Sequence, residues 1–417
     1  MEVDCERLRA DIERNAEFGA IEAAEGRGRT VLTGTEANRR SREHLVERLE
    51  DADLEVRTDA VGNVAGRWLP DGADPNAAPV AVGSHLDSVP EGGIFDGPLG
   101  VYAGLEAVRA MQDAGIEPSR PIDVVSFTEE EGQRFASGLL GSSVAVGDRS
   151  VDDALALKAP DGTTLEDALA SIGFRGEGRL DAADWDAWLE LHVEQSERLA
   201  AAGVPVGVVT AITGITHCEV EVQGEADHAG ATPMDERTDA LAAASEVVLD
   251  IEAAANDVVR GESETAVGTV GSLDVAPNAT NVVPGAVELG VDIRDIEYDS
   301  METIVEATRA SLAVVEEDRG VETSFERPFD LEPTPMAEEL RTAAHRAGEA
   351  AGIPTMDVHS GAAHDTMHVA EVTDASLLFA PSADGISHNP REWTEWADCE
   401  RATRVLAGAM ADAAGRE

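Results

Sequence analysis

Three apolar runs in this chain end in side chains that bind metals or move protons. The run PVAVGSHLDS, from Pro79, ends in His85 and Asp87; PIDVVSFTEEEG, from Pro121, ends in Glu129, Glu130 and Glu131; WLELHVEQ, from Trp188, ends in His192 and Glu194. Asp96 lies in the turn-rich stretch GGIFDGPLG, and His388 in GISHNP. Imidazole nitrogens and carboxylate oxygens suit divalent transition metals. Together, His85, Asp96, Glu131, His192 and His388 can form a two-metal site, in which a bridging water becomes hydroxide near neutral pH. Asp96 can bridge two cations, because its two oxygens reach both at once. Adjacent glutamates can divide the work, one binding metal and the other moving protons. In a strand, residues i and i+2 share a face, so Asp87 is expected to accept the second ring N–H of His85.

Each of these residues has a plainer reading when taken alone. His85 can be a core histidine bonded to an acid, and Asp96 an Asp favouring a turn. The three glutamates can be a solvated acidic cluster. His192 and His388 can be structural. The position of the glutamates after VVSF favours a site, because carboxylates at an apolar strand end are costly unless cations or water neutralise them.

The elements that must position these groups are read from periodicity. Residues 4–25, 36–51 and about 99–114 have helical spacing, with Thr35 placed to cap the second. The three apolar runs, separated by helices, predict buried strands of a mostly parallel sheet, where ligands gather at strand ends. The middle reads differently: strands over 215–223, 266–273, 286–293 and 321–327, and helices over 235–256 and 299–317. That β-α-β-β-α-β order matches the ferredoxin-like pattern. The fold class is therefore α/β, a catalytic domain (1–212 and 326–417) with an inserted ferredoxin-like α+β domain at 213–325. The chain returns through a helix (336–351), a strand (375–379) and a helix (398–413). The Asp/Ala/Gly-rich segment 148–187 reads as a surface excursion of weak helices.

Composition bounds the partners. The 417 residues carry a formal net charge of −52, and 43% are hydrophobic, enough to fill ordinary cores. Such a charge excludes the basic footprint that nucleic acid requires and disfavours anionic membranes. Lys158 is the only lysine, and the acids are spread along the whole chain rather than gathered in a tail. That pattern resembles salt-in halophiles, and a halophilic archaeal source and a need for molar salt are expected. Cys5, Cys218 and Cys399 are too few for a disulfide framework and form no CxxC pair, so a reduced cytoplasm is expected. The polar N-terminus has no signal-peptide pattern, and no apolar stretch approaches the ~18 residues of a membrane span.

Seven motifs in order carry a resemblance: GSHLDSVPEGGIFDGPLGVYAGLEA, TEEEGQRFASGLLGS, LELHVEQ, DHAGATPMDERTDAL, PNATNVVPGAVELGVDIRD, SGAAHD and PSADGISHNPREWT. Over about residues 30–410 the chain resembles the hydantoinase/carbamoylase family of amidases, within the aminoacylase-like metallopeptidases. The resemblance implies an amidohydrolase acting on N-carbamoyl (ureido) amino acids, with two divalent ions per subunit (Zn²⁺, Mn²⁺, Co²⁺ or Ni²⁺). It implies a lid domain that mediates homodimerisation. By matching motif, His85 and His388 are terminal ligands of different metals. Asp96 bridges, Glu131 and His192 complete the set, and Glu130 is the general base, with Asp87 beside it. Arg294 matches a residue that grips the substrate carboxylate, and His228 one that reaches the partner's site to stabilise an oxyanion. Asn281, Gln195 and His364 match polar pocket positions, and Gly361 and Ala362 would offer backbone N–H groups. The plainer readings are a salt bridge of Arg294 to Asp292 or Asp295, an Asp–His hydrogen bond in a turn for His228, and a turn-forming Asn281. LHVEQ continues as Ser-Glu where the family has Gly-Pro, and Ala363 stands where Gly is common, which bears on substrate preference. Allantoate hydrolysis, an aminoacylase or dipeptidase, and an inactive binding scaffold are the rival readings.

Overall fold

The computed structural model describes residues 1–136 and 138–415. The chain forms two compact units: Met1–Thr210 together with the chain from Met336 on, and Ala211–Pro335.

Helix α1 (Cys5–Ala16) begins at Asp4, whose carboxylate accepts the N–H groups of Glu6 and Arg7, both at 3.1 Å. It is shorter than the 4–25 expected, because Gly19 (φ 73°) turns the chain into a small antiparallel pair, Ala20–Ile21 with Gly28–Arg29. Helix α2 (Glu36–Asp51) is capped by the Thr35 hydroxyl, which accepts the Asn38 N–H at 3.3 Å. Strands β1 (Glu55–Thr58), β2 (Val64–Trp68) and β3 (Val80–His85) follow, then helix α3 (Pro98–Asp113), β4 (Ile122–Phe127), β5 (Ala187–Val193) and β6 (Val206–Ile212). The excursion between β4 and β5 holds short helices at Leu140–Val146, Val151–Leu155 and Leu165–Ser171.

The inserted unit has β7 (Gly214–Gln223), α4 (Ala240–Gly261), β8 (Val267–Ala276), β9 (Ala286–Asp295), α5 (Tyr298–Arg319) and β10 (Glu322–Leu331). The strands lie antiparallel in the order β8-β9-β7-β10. Val220, Leu289 and Val291 pack with Val247, Ile251 and Ile304 from the two helices. The unit begins at Ala211 and ends at Pro335 rather than at 213 and 325, since β10 runs on to Leu331. Helix α4 starts at Ala240 instead of 235, where Asp239 caps the N–H groups of Leu241 and Ala242.

The chain then adds α6 (Glu338–Ala351), β11 (Thr355–Ser360), β12 (Asp374–Ala380) and α7 (Trp396–Ala413). The main sheet runs β6-β12-β5-β3-β4-β2-β1, with β11 also on β6. Its centre is parallel: β12 with β5, β5 with β3, and β3 with β4. Strands β2 and β6 close it antiparallel. Strands β3, β4 and β5 are buried along their whole length, and α3 is buried from Pro98 to Met111, which explains their continuous apolar runs. One register brings the carboxyl ends of the parallel strands level, with His85 opposite Phe127 and His192 opposite Phe379. Among the described residues no helix is long and apolar enough to cross a membrane.

Candidate metal centre

The chemistry-bearing residues of this unit collect at those carboxyl ends. His85 ends β3, His192 lies one residue before the end of β5, Glu129–Glu131 follow β4, and His388 sits in the loop after β12. Asp96 is on the loop between β3 and α3. Gly97 must follow it: at φ 81° a Cβ there would lie 2.5 Å from Cε1 of His85. Three non-glycine residues around the site adopt left-handed backbone, Glu129 (φ 57°), Gln195 (φ 58°) and His388 (φ 53°). Such strain costs roughly 1–3 kcal/mol each and persists where surrounding bonds enforce it. For Glu129 those bonds are visible. Its carboxylate accepts the N–H groups of Arg134 (2.5 Å) and Phe135 (2.7 Å).

Asp96 stands between two sets of ligands. Its Oδ1 lies 3.5 Å from His85 Nε2 and 3.4 Å from His192 Nε2. Its Oδ2 lies 3.5 Å from His388 Nε2, and Glu131 Oε2 lies 3.4 Å from that same nitrogen. Glu130 Oε2 is 3.6 Å from His85 Nε2. These separations exceed ordinary hydrogen bonds of about 2.7–3.2 Å. They match two ligands of one ion: with bonds of about 2.0–2.1 Å in tetrahedral geometry, donor atoms lie about 3.4 Å apart. The imidazole tautomers agree. His85 Nδ1 faces the Asp87 carbonyl and His192 Nδ1 the Val193 carbonyl, each at 3.2 Å, so Nδ1–H donates and Nε2 is the nitrogen left to face Asp96. His192 Nε2 is buried with no hydrogen-bond partner. A metal ion would satisfy it, so the residues present fit a metal centre.

The electrostatics ask for countercharge. Burial, reinforced by Asp96, pushes the Glu131 carboxyl up to about 9, and burial with Glu131 raises Glu130 well above the ordinary carboxylate range. Burial opposes ionisation of Asp96, but the rings of His192, His85 and His388 hold its carboxyl well below the usual range. Burial lowers His85 to about 4, while Asp96 outweighs burial at His192 and lifts it to about 9. The glutamate triplet is thus no solvated cluster: the side chains of Glu130 and Glu131 are 11% and 5% exposed.

One expectation is corrected. The His85 ring is held by the Asp87 backbone carbonyl, and the Asp87 carboxylate is 3.8 Å away. The strand ends at His85, so the i, i+2 rule stops applying there. The Asp87 carboxylate instead accepts the N–H groups of Glu130 (3.4 Å) and Glu131 (3.2 Å), shaping the glutamate turn.

Other expected residues are placed as follows. Gln195 Nε2 donates to Asp96 Oδ2 at 3.2 Å. The buried His364 ring meets His192 edge-on at 4.7 Å and bonds Ser360 at 3.0 Å; burial and then His192 keep it neutral. Gly361 and Ala362 lie in the loop before it, but the Ala362 N–H donates to Ser360 Oγ at 3.2 Å, a local bond rather than an open donor. His228, Asn281 and Arg294 belong to the inserted unit. His228 is exposed and accepts the Gly230 N–H at 3.0 Å; the Asn281 carbonyl accepts the Ala229 N–H at 3.0 Å. Arg294 makes a two-pronged bond to Asp292, at 2.8 and 3.0 Å, with Nη1 outside the pair.

Sequence reasoning missed the residues behind the ligands. The Arg29 guanidinium, wholly buried, donates to the carbonyls of Gly93, Asp87 and Asp96 at 3.2–3.4 Å. Buried Glu190 accepts from Ser84 (2.7 Å) and from the Thr366 hydroxyl (2.6 Å). Ser387 and Glu392 bond at or near Asp96, and their places beside His388 in GISHNPREW were the available signal.

The chain is similar to known proteins over nearly its whole length. Peptidase family M20/M25/M40 matches residues 81–412. An N-carbamoyl-L-amino-acid amidohydrolase of Paenarthrobacter aurescens is 38% identical over 412 residues, 97% of each chain. An allantoate amidohydrolase of Bacillus subtilis is 34% identical over 356 residues, 85% of each. A hydantoinase/carbamoylase family amidase from Burkholderia multivorans superposes with a TM-score of 0.89 at 37% identity, covering 99% of this chain and 98% of that one.

Proposed function

The chain belongs to peptidase family M20/M25/M40 and, within it, to the hydantoinase/carbamoylase amidases, and from that premise we propose that it hydrolyses the ureido C–N bond of N-carbamoyl-L-amino acids. The observation that carries this reading is Asp96 set between His85 with His192 and His388 with Glu131, with Glu130 alongside. Two divalent ions held by these five residues would acidify a water and polarise the substrate carbonyl. Glu130 accepts the proton as water adds to the ureido carbon. It then delivers a proton to the amino-acid nitrogen as the C–N bond breaks. The carbamate released falls to ammonia and carbon dioxide. Asp87 holds the Glu130 and Glu131 N–H groups and so keeps the base aimed. His364, neutral and against His192, offers a ring N–H to the substrate oxygen.

The inserted unit supplies the substrate side in this reading. Arg294 binds the carboxylate, Asn281 and Gln195 bind amide groups, and His228 stabilises the oxyanion across a homodimer. A homodimer through this unit and a cytoplasmic location belong to the same reading. Replacing Arg294 with Ala is expected to raise KM for carboxylate substrates by roughly 10- to 100-fold, the worth of a charged hydrogen-bond pair, with little change in kcat. An unchanged KM would remove Arg294 from the pocket.

The deciding assay offers N-carbamoyl-L-amino acids, allantoate, β-ureidopropionate and N-acetyl amino acids with added Zn²⁺, Mn²⁺ or Co²⁺. Ammonia and amino acid release are measured. Turnover of N-acetyl compounds alone would overturn the carbamoylase reading, and preference for allantoate would move the enzyme to that branch.

The net charge of −52 sets the solvent, for we read the acidic coat as an adaptation to high salt. Screening shortens from about 10 Å at 0.1 M salt to about 3 Å at 1 M. The thermal midpoint is therefore expected to rise steeply with KCl into the molar range. A midpoint independent of salt contradicts this adaptation and leaves the catalytic reading untouched.

A further inference from the structure

The bridging role of Asp96 depends on the orientation of its carboxylate plane. Rotation about Cβ–Cγ is soft, and a turned carboxylate would chelate one ion instead of joining two. Something outside the ligand set must hold it. The two oxygens are held unequally. Oδ1 faces the imidazoles of His85 and His192 at 3.4–3.5 Å. Oδ2 accepts hydrogen bonds from Ser387 Oγ at 2.7 Å and Gln195 Nε2 at 3.2 Å.

Ser387 is itself held from behind. Its hydroxyl has one proton to give and lies between two carboxylates, Asp96 Oδ2 at 2.7 Å and Glu392 Oε2 at 3.2 Å. It also accepts from Gln195 Nε2 at 3.1 Å. The other oxygen of Glu392 accepts two backbone N–H groups, those of Phe95 and Asp96, each at 3.0 Å. One side chain, 1% exposed, therefore fixes the backbone at Asp96 and the residue next to His388. The ligands differ in how much they need this. His85 and His192 are fixed by strands. His388 is on a loop, and its side chain is 51% exposed.

We propose that Glu392 is a positioning residue which, through Ser387 and the N–H groups of Phe95 and Asp96, holds Asp96 as a bridge and governs binding at the outer metal position formed by His388 and Glu131. This rests on the two-ion centre of the proposed function.

The test is Co²⁺ titration of the metal-free protein in high KCl, read by equilibrium dialysis and by visible d–d absorption. The variants are Glu392→Ala, Glu392→Gln and Ser387→Ala. Wild type is expected to take up two ions. Glu392→Ala and Ser387→Ala are expected to weaken one of them by about 10- to 100-fold, the usual effect of losing a hydrogen bond behind a ligand, and to leave the other unchanged. Glu392→Gln is expected to restore wild-type binding, because its carbonyl can accept both N–H groups while its amide donates to Ser387 Oγ. Wild-type affinities in both the Glu392→Ala and Ser387→Ala variants overturn the proposal. So does equal weakening of both ions, or failure of the glutamine to rescue. A wild-type protein holding a single ion overturns the two-ion centre itself, a result distinct from failure of the Glu392 role.

Discussion

Replacing Glu130 with Gln is expected to cut kcat by about 10²–10⁴-fold while two metal ions remain bound. That range is what a positioned general acid–base contributes. The geometry explains the separation of effects. Glu130 lies 3.6 Å from His85 Nε2, yet neither oxygen of Asp96 depends on it for a hydrogen bond. Glutamine keeps the shape and can fill the same space. It lacks a basic oxygen, so no group can take the proton from water or return it to nitrogen. Burial and the neighbouring Glu131 raise the carboxyl of Glu130 in the metal-free protein, and bound cations would oppose that rise and leave it ionised as a base. The measurement pairs kcat and KM with metal content by mass spectrometry. Retained turnover with full metal would refute the base assignment. Loss of metal along with turnover would make Glu130 a ligand instead.

Replacing Asp96 with Asn is expected to abolish measurable turnover and release at least one ion. Asn is nearly isosteric and can still accept through one oxygen. Its NH₂ group carries hydrogens and no free lone pair, so it cannot ligate. Whichever way the amide turns, one ligand set loses its shared oxygen: His85 with His192, or His388 with Glu131. The two hydrogen bonds to Oδ2 predict which. Ser387 and Gln195 both offer N–H or O–H toward it, so the amide oxygen should settle there and the NH₂ should face the inner histidines. The inner ion is then the one lost. Atomic absorption on the dialysed variant checks this, and two tightly held ions with wild-type turnover would exclude Asp96 as the bridge.

The chemistry was legible in the sequence because it is local. A buried parallel strand is a continuous apolar run, and its end is where the run meets a polar residue. His85, Glu129–Glu131 and His192 announce themselves in that way, and Asp96 and His388 do so through turn residues that break the pattern. The buried central strands were legible for the same reason. Strands β1, β2, β6 and β11 were not. The short or half-buried β1, β2 and β11 lose the apolar run that marks a core strand, while β6 was missed although it is apolar and almost wholly buried. The helix expected over 4–25 stopped at Ala16, because a tertiary pairing took the residues beyond Gly19.

The supporting groups are a different case. Arg29, Glu392 and Ser387 act on Asp96 from 67, 296 and 291 positions away. Ser387 and Glu392 stand beside His388, but nothing in the three neighbourhoods says which carboxylate they serve, because a hydrogen bond between distant segments leaves no periodicity. The sequence by itself determined which donor groups are present, the fold class that gathers strand ends, and the net charge of −52. Only the tertiary structure decided how those groups face one another. It placed one oxygen of Asp96 toward each set of donors, turned the Asp87 carboxylate to the glutamate backbone, and buried Glu392 behind Asp96. The reason is physical: ligand types are set residue by residue, while donor separations of 3.4–3.6 Å arise only when distant strands lie level.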